Sequence, residues 1–472
     1  MYSIAFFCCL FQLWWPLGLC LVRWSIKAML HPFLLYHFTF ILLKMFSPKK
    51  LPNYEGPYSV GYIDLESAPI VSNETLSNQG VLFRMFYPIE KHAIPKSLKE
   101  EKSHWMPLNK FYFNGYIDFL TGVPSFLSYL LLFPAMYSTR LSATFASPLL
   151  NSTNQDKFPI IIFSHGLAGM RTSYSTMCGN LASRGNIVIS LEHGDGSACI
   201  TQRLKSNIHK ISYLKTRKQQ KLYKTEEAIK KWRQTQLNFR CQEILETLNI
   251  LKKLDNVDED MINELVGDIS PSKKTKNLTS HLTKEFLKQF QSKFDFDNIG
   301  LLGHSFGGAT LLTLMNMPKV PNFKYSIILD PWMFPVEKGF TISIPTLTVQ
   351  SSHFHWKDNL ESMIDMVYKE KNNDNVHFAV IDGTRHDHCS DFGFIFNNLY
   401  SYTFYRGIRT AKEAHMIMHQ LFYDFIIKNT IVDEGTLLEE SSTLGDLEKY
   451  VMYDEDAQNL LDQYVQPFPT VP

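Results

Sequence analysis

Apolar and polar positions follow two patterns along this chain, and together they predict an α/β protein. Short continuous apolar runs rich in isoleucine, valine and leucine are typical of strands covered on both faces of a parallel sheet. Stretches with apolar residues three and four positions apart predict helices between those strands. This succession is the βαβ arrangement of a mostly parallel central sheet flanked by helices. The predicted strands span residues 56–64, 81–88, 158–164, 186–192, 299–302, 325–329, 346–350 and 376–381, and a closing helix spans 409–428.

The same pattern divides the chain into three parts. A hydrophobic region over residues 1–50 precedes a large α/β domain over 51–430, and an acidic tail over 431–472 is predicted to be loosely ordered. Within the domain we expect a lysine-rich helical insertion at about 201–235 and a polar loop at about 255–280. The lysines are typical of a solvated helical face, and attraction to an anionic membrane surface is the alternative.

The N-terminal region is more apolar than the rest. Residues 4–22 contain no charged side chain and are about long enough to cross a bilayer as a helix. We favour a membrane anchor or an uncleaved signal-anchor, which would associate the protein with membranes of the secretory pathway. A cleaved signal peptide and an interfacial or core helix are the alternatives. Positive charges follow both apolar runs of this region, so the topology stays open.

Composition narrows the function classes. The formal net charge of +1 gives no reason to expect a nucleic-acid partner. The seven cysteines lack metal-ligand spacing, and we expect neither a metal nor a cofactor. His165, His193 and His304 also form no metal-ligand pattern and are expected to be structural. The oligomeric state is not indicated.

The strongest chemical signal is a Gly-x-Ser-x-Gly pattern centred on Ser305, between an apolar strand run and a helical run. A serine hydroxyl that attacks a carbonyl must stand clear of its own backbone, which requires a sharp and strained turn. Side chains two residues before and after the serine would clash in such a turn, so Gly303 and Gly307 fit it. The pattern predicts the nucleophile elbow of an α/β-hydrolase fold.

The acid and the base are sought at the ends of the strands that follow the elbow, in the order acid and then histidine. The first of these strands ends in Asp330, and the second has no carboxylate at its end. The last runs into a loop that holds His386 and His388, of which we favour His386 because it lies nearer the loop tip. Asp382 and Asp387 are too close to His386 in sequence to orient it easily.

These residues predict an acyl-enzyme mechanism. His386 would take the proton of Ser305, while Asp330 would orient the imidazole and stabilise the imidazolium. The backbone N–H groups of Leu167, in a glycine-containing loop after an early strand, and of Phe306 would form the oxyanion hole.

Several motifs resemble those of the platelet-activating-factor acetylhydrolases of the plasma and type II intracellular, lipase-like kind. The resemblance covers about residues 54–425 in collinear order. It implies the same roles for Ser305, Asp330, His386, Leu167 and Phe306. The motifs are residues 56–61 (GPYSVG), 163–167 (FSHGL), 171–175 (RTSYS), 192–198 (EHGDGSA), 303–310 (GHSFGGAT), 329–335 (LDPWMFP) and the loop from Gly383 to Phe392.

The resemblance further implies calcium-independent phospholipase A2 activity on sn-2 acyl groups that are acetyl, short or oxidised, at a lipid surface. The alternatives are a general carboxylesterase or lipase, and a lipid-binding relative without turnover. Residues 116–137 and 356–368 resemble regions that such enzymes use to contact lipid, although a buried helix is the other interpretation of the first. The lipid-surface candidates are Phe126, Leu127, Leu130, Leu131, Phe133, Trp356, Met363 and Met366.

Overall fold

The structure is a computed structural model, and its described residues form one mixed α/β assembly. It describes residues 50–67, 80–90, 103–107, 110–119, 133–151, 156–202, 204, 210–212, 222–256, 265–268, 286–339, 342–354, 357–369, 376–396, 409–430 and 451–453.

Eight of the thirteen strands in the described residues lie on the predicted apolar runs. They are β1 Ser59–Glu66, β2 Leu82–Ile89, β3 Thr144–Phe145, β4 Phe158–Ser164, β5 Ile187–Glu192, β6 Ile200–Gln202, β7 Lys210–Ser212, β8 Val266–Asp268, β9 Phe294–His304, β10 Tyr325–Leu329, β11 Thr346–Ser351, β12 Val376–Ile381 and β13 Val451–Tyr453. The labelled helices are α1 Lys110–Phe119, α2 Ser175–Ala182, α3 Glu226–Asp255, α4 Phe306–Met315, α5 Lys357–Lys369, α6 Phe392–Ile395 and α7 Ala411–Thr430.

Eleven strands form one sheet in the order β13-β12-β11-β10-β9-β4-β5-β2-β1-β3, with β8 beside β1. The six strands from β12 to β5 are parallel, whereas β2 is antiparallel to both β5 and β1. The predicted α/β-hydrolase fold class, a mostly parallel sheet flanked by helices, is confirmed. Because β5 and β9 lie on opposite sides of β4, the chain reverses direction across the sheet there, and ligands bind at such switch points.

Strand β4 explains why the central strands are continuously apolar. Ile160 and Ile162 belong to the core on one face of the sheet, and Ile161 and Phe163 belong to the core on the other face. Successive side chains of a strand point to opposite faces, so both faces need apolar residues when helices cover both.

Three segments differ from the expected structure. Within the lysine-rich stretch, Lys210–Ser212 is a strand paired with β6, and the long helix begins only at Glu226. Within the predicted polar loop, Val266–Asp268 pairs with β1. Within the predicted loose tail, Val451–Tyr453 pairs with β12. Each strand has only three residues, which is too short for periodicity in the sequence to indicate it.

The lipid-surface candidates differ in burial, and several of them lie outside the described residues. Met363 is 0% exposed and Met366 is 8% exposed, because the apolar face of α5 packs into the core. The expectation that these two methionines face lipid was therefore wrong. Phe133 is half-buried against Phe113 and Tyr137. The remaining candidates lie outside the described residues and are Phe126, Leu127, Leu130, Leu131 and Trp356.

The predicted anchor over residues 1–50 lies almost wholly outside the described residues. Among the helices in the described part of the chain, none is both long and apolar enough to cross a membrane.

Candidate active site

The elbow is a strained turn between β9 and α4. Ser305 has φ 58° and ψ −116°, in the left-handed half of the map that a non-glycine residue rarely occupies. Its N–H donates to the carbonyl of Leu329 on β10, which anchors the turn at 2.8 Å. The predicted need for glycine is also visible, because a Cβ on Gly303 would lie 2.6 Å from the Gly307 carbonyl oxygen. A Cβ on Gly307 would lie 1.9 Å from the Ser164 carbonyl oxygen.

Asp330 and His386 meet at the carboxyl ends of their strands. Nδ1 of His386 lies 3.1 Å from Oδ2 of Asp330, whose side chain is 0% exposed. The Ser351 N–H and hydroxyl also donate to this carboxylate, at 2.6 and 2.7 Å. Since an ionised carboxylate can only accept, we assign the His386 proton to Nδ1, which leaves Nε2 as the basic nitrogen.

The His386 ring lies between two other rings. Phe354 stacks on it with centroids 3.6 Å apart and planes 11° apart, and the His304 ring lies 4.3 Å away. Burial, together with electrostatic repulsion from the neighbouring His386 when that ring is protonated, holds the pKa of His304 well below its usual value, so His304 is neutral. Because His304 directly precedes Ser305, this ring contact brings His386 close to the elbow. In the described residues no hydrogen bond joins Ser305 to His386, and such bonds often tighten only when substrate binds.

The two predicted oxyanion donors lie on adjacent strand ends. Leu167 follows β4, and Phe306 is the first residue of α4. In the described part of the chain, neither backbone N–H has a protein acceptor. The loop lies against the elbow, because a Cβ on Gly166 would be 3.0 Å from that of Ser305.

His304, Asp330 and Cys389 place potential ligand atoms within 4.8 Å of one another, which is close enough to hold a metal ion. The Asp330 carboxylate, however, already accepts hydrogen bonds from Ser351 and His386. The cluster therefore fits the hydrogen-bonded surroundings of a triad acid.

A second hydrogen-bonded series of serine, histidine and carboxylate lies behind the elbow, and the sequence analysis did not predict it. Ser164 Oγ is 2.8 Å from His193 Nε2, and His193 Nδ1 is 2.6 Å from Glu243 Oε2. Ser164 and His193 are both 0% exposed, so no substrate can reach this serine. Burial holds the pKa of His193 well below its usual value, in keeping with a neutral structural histidine. Glu243 lies on α3, and no local spacing in the sequence connects it to β4.

His165 is likewise held by hydrogen bonds. Its Nε2 accepts the His193 N–H at 3.2 Å, and its Nδ1 lies 2.7 Å from the Gly166 carbonyl oxygen. The expectation that His165 and His193 are structural agrees with these contacts.

Comparison with known proteins decides the family. The family model described as platelet-activating factor acetylhydrolase, isoform II, matches residues 43–440. The chain belongs to this acetylhydrolase family. Membership agrees with the resemblance noted in the sequence and confirms that the chain is a serine-type carboxylesterase.

Named relatives agree with this family assignment, and a solved structure has the same fold. A platelet-activating factor acetylhydrolase of Canis lupus familiaris is 31% identical over 364 residues, covering 75% of this chain and 71% of the relative. A putative phospholipase A2 of Schizosaccharomyces pombe is 28% identical over 394 residues, covering 73% of this chain and 84% of the relative. The ferulic acid esterase of Streptomyces cinnamoneus, with TM-score 0.50 and 15% identity over 86% of this chain and 99% of that one, shares the fold.

Proposed function

We propose that this acetylhydrolase is a calcium-independent phospholipase A2 that hydrolyses acetyl, short or oxidised acyl groups at the sn-2 position. The observation that carries the proposal is the Asp330–His386 hydrogen bond at 3.1 Å beside the strained Ser305 turn. The names of its relatives, an acetylhydrolase and a putative phospholipase A2, supply the substrate class.

The proposed reaction has two stages. His386 Nε2 takes the proton of Ser305 as the hydroxyl oxygen attacks the sn-2 carbonyl carbon, and the N–H groups of Leu167 and Phe306 hold the oxyanion. The intermediate collapses to an acyl-enzyme, and His386 returns the proton to the leaving lysophospholipid oxygen. Water then attacks the acyl group with His386 as base, which releases the fatty acid and restores the serine.

The acid role of Asp330 follows from its hydrogen bonds. Its carboxylate fixes the His386 tautomer and stabilises the imidazolium that forms at each stage. The two Ser351 donors hold the carboxylate in place. All the proposed chemistry uses groups of this chain, so we expect turnover to persist in the presence of a calcium chelator.

The buried hydrogen-bonded series Ser164–His193–Glu243 provides a matched control for the proposed nucleophile Ser305. We expect Ser305→Ala to lower kcat more than roughly 10⁴-fold, because Ser164, the serine of the second serine–histidine–carboxylate series, is 0% exposed and cannot replace it. A fluorophosphonate probe should label Ser305 in the wild type and should still label Ser164→Ala, as mass spectrometry of the adduct would report. Unchanged hydrolysis by Ser305→Ala, or an adduct on Ser164, would refute the assignment.

Acyl length separates the proposed substrate from the alternatives. Purified protein would be assayed on sn-2 acetyl, oxidised and long-chain phosphatidylcholines. We expect a preference for the first two. Equal rates on long chains, or turnover of soluble esters alone, would favour a general lipase or carboxylesterase, and absence of turnover would favour a lipid-binding relative.

The proposed membrane association rests on the apolar residues 1–50 and is tested separately. Protein held by an anchor stays in the pellet during extraction with alkaline carbonate, and release into the supernatant would refute the anchor. Glycosylation at Asn73, Asn151 or Asn277, each in an Asn-x-Thr sequon, would place the catalytic domain in the lumen.

A further inference from the structure

We propose that Arg240 is a positioning residue that holds both halves of the oxyanion hole in place before substrate binds. The proposal rests on the proposed function, in which the N–H groups of Leu167 and Phe306 stabilise the oxyanion. It concerns a side chain on α3, far from both donors in sequence.

Arg240 holds the loop after β4, which carries the Leu167 N–H, by one direct hydrogen bond and by a second contact through Ser197. Its Nη1 donates to the His165 carbonyl at 2.7 Å, two residues before Leu167. Its Nη2 donates to the Ser197 hydroxyl at 2.6 Å, and the Ser197 carbonyl accepts the Ala168 N–H at 2.7 Å. The Leu167 N–H therefore lies between two points that one guanidinium fixes.

The loop needs this support because it is strained. Ala168 has φ 58°, a conformation that costs a non-glycine residue free energy and persists only when the surroundings impose it. The Ala168–Ser197 hydrogen bond is one such constraint. Its partner Ser197 is held in turn by Arg240 Nε at 3.0 Å.

Arg240 also packs on the side chain of Phe306, the residue that carries the second donor. Its guanidinium carbon lies 4.6 Å from the centroid of the Phe306 ring, and that ring is 0% exposed. A guanidinium over an aromatic face is attracted to it and favours one ring orientation. Both segments that carry the donors are thus packed on one side chain.

The guanidinium is itself fixed rigidly. It is fully buried and pairs with Asp195, whose carboxylate lies 3.1 Å from Nε. Gln236 donates to the Asp195 carbonyl at 2.8 Å, and Glu243 accepts the Gly194 N–H at 3.0 Å. Gln236, Arg240 and Glu243 are four and three residues apart, so one face of α3 binds the loop after β5.

The variant Arg240→Lys separates the effect of the positive charge from the effect of the guanidinium shape. Lysine keeps the positive charge but lacks the planar fork that reaches His165, Ser197 and Asp195 together. Because the oxyanion forms only in the transition state, a misplaced donor lowers kcat more than it raises KM. We expect Arg240→Lys to lower kcat about 10- to 100-fold with KM changed less than about threefold, since loss of a whole donor costs about 10²–10³-fold.

The test uses a soluble aryl acetate and the thionoester with C=S in place of C=O. Sulfur is larger and accepts hydrogen bonds poorly, so the ester-to-thionoester rate ratio reports the fit of the hole. We expect Arg240→Lys to lower this ratio. Leu251→Ala on the same helix, which removes a side chain from the core at 0% exposure, should lower Tm but leave the ratio unchanged.

The outcomes are distinct. Wild-type kcat and ratio in folded Arg240→Lys, or the same ratio shift in Leu251→Ala, would overturn the positioning role. If Arg240→Lys fails to fold, Ser197→Ala serves instead: a two- to tenfold lower kcat with a lower ratio supports the proposal, and unchanged values overturn it. Retained ester hydrolysis by Ser305→Ala would instead refute the active site itself.

Discussion

The contact between α4 and the end of β4 makes Gly307→Ala the most informative single change in this carboxylesterase. The added Cβ would lie 1.9 Å from the Ser164 carbonyl oxygen and 2.6 Å from the Ser164 carbonyl carbon. Ordinary van der Waals contact begins near 3.4 Å, so the helix and the strand end must separate by more than about 1 Å. Backbone atoms of a central strand cannot move aside as a flexible side chain could.

Two effects follow from that separation. Overpacking of a well-packed interior costs about 1–3 kcal/mol, and the backbone obstacle puts Gly307→Ala at the upper end. The displacement also carries the Phe306 N–H away from the Leu167 N–H, and a misplacement of about 1 Å can cost about 10²-fold in rate. We therefore expect Tm to fall by roughly 5 °C and kcat to fall about 100-fold.

The neighbouring glycine is the control. A Cβ on Gly308 would lie 2.9 Å from Ile328 Cγ2, 3.0 Å from Pro331 Cβ and 3.2 Å from the backbone Cα of Pro331. The nearest of these contacts is 1.0 Å longer than the 1.9 Å contact at Gly307, so a much smaller shift relieves it and Gly308→Ala should lower kcat much less. Thermal unfolding by circular dichroism and steady-state kinetics on an aryl acetate measure both variants. Wild-type Tm and kcat in Gly307→Ala would refute the packing argument.

Two further predictions concern stability. Burial lowers the pKa of His388 to about 4, so its neutral form stabilises the fold above the unfolded pKa of about 6.5. That stability, on the order of 3 kcal/mol, is lost as pH falls from about 6.5 to 4, and His388→Asn should flatten the decline of Tm in this window. An equally steep decline in the variant would contradict this. Met363→Ala should cost about 2–5 kcal/mol and leave binding to phosphatidylcholine vesicles unchanged, since Met363 is a core residue. Unchanged stability together with weaker binding to the vesicles would instead support contact between Met363 and lipid.

The sequence was most informative where chemistry restricts a single backbone position. The glycines around Ser305 predicted the elbow. The absence of a carboxylate at the end of β11 left Asp330 as the predicted acid, and the structure brings Asp330 to His386. Apolar runs located the central strands because both faces of the sheet are covered. These features depend on neighbours in sequence or on the order of strands.

Other features depend on contacts that sequence order does not reveal. The hydrogen bonds of Arg240 to His165 and Ser197 join three separate segments of the chain. Met363 lies on a helix with an apolar face, and such a face looks the same whether it meets a protein core or lipid. Phe354 packs on His386 only because two loops meet at one end of the sheet.

Strand β13 has a consequence for association between copies of the chain. Val451 to Tyr453 pair antiparallel with Ile381 to Ala379, and this covers the outer side of β12. An uncovered strand at the margin of a sheet presents a row of N–H and C=O groups on which another chain can pair. A protein cut between α7 and β13 would retain Ser305, Asp330 and His386, yet it would expose a template for aggregation directly beside the loop that carries His386.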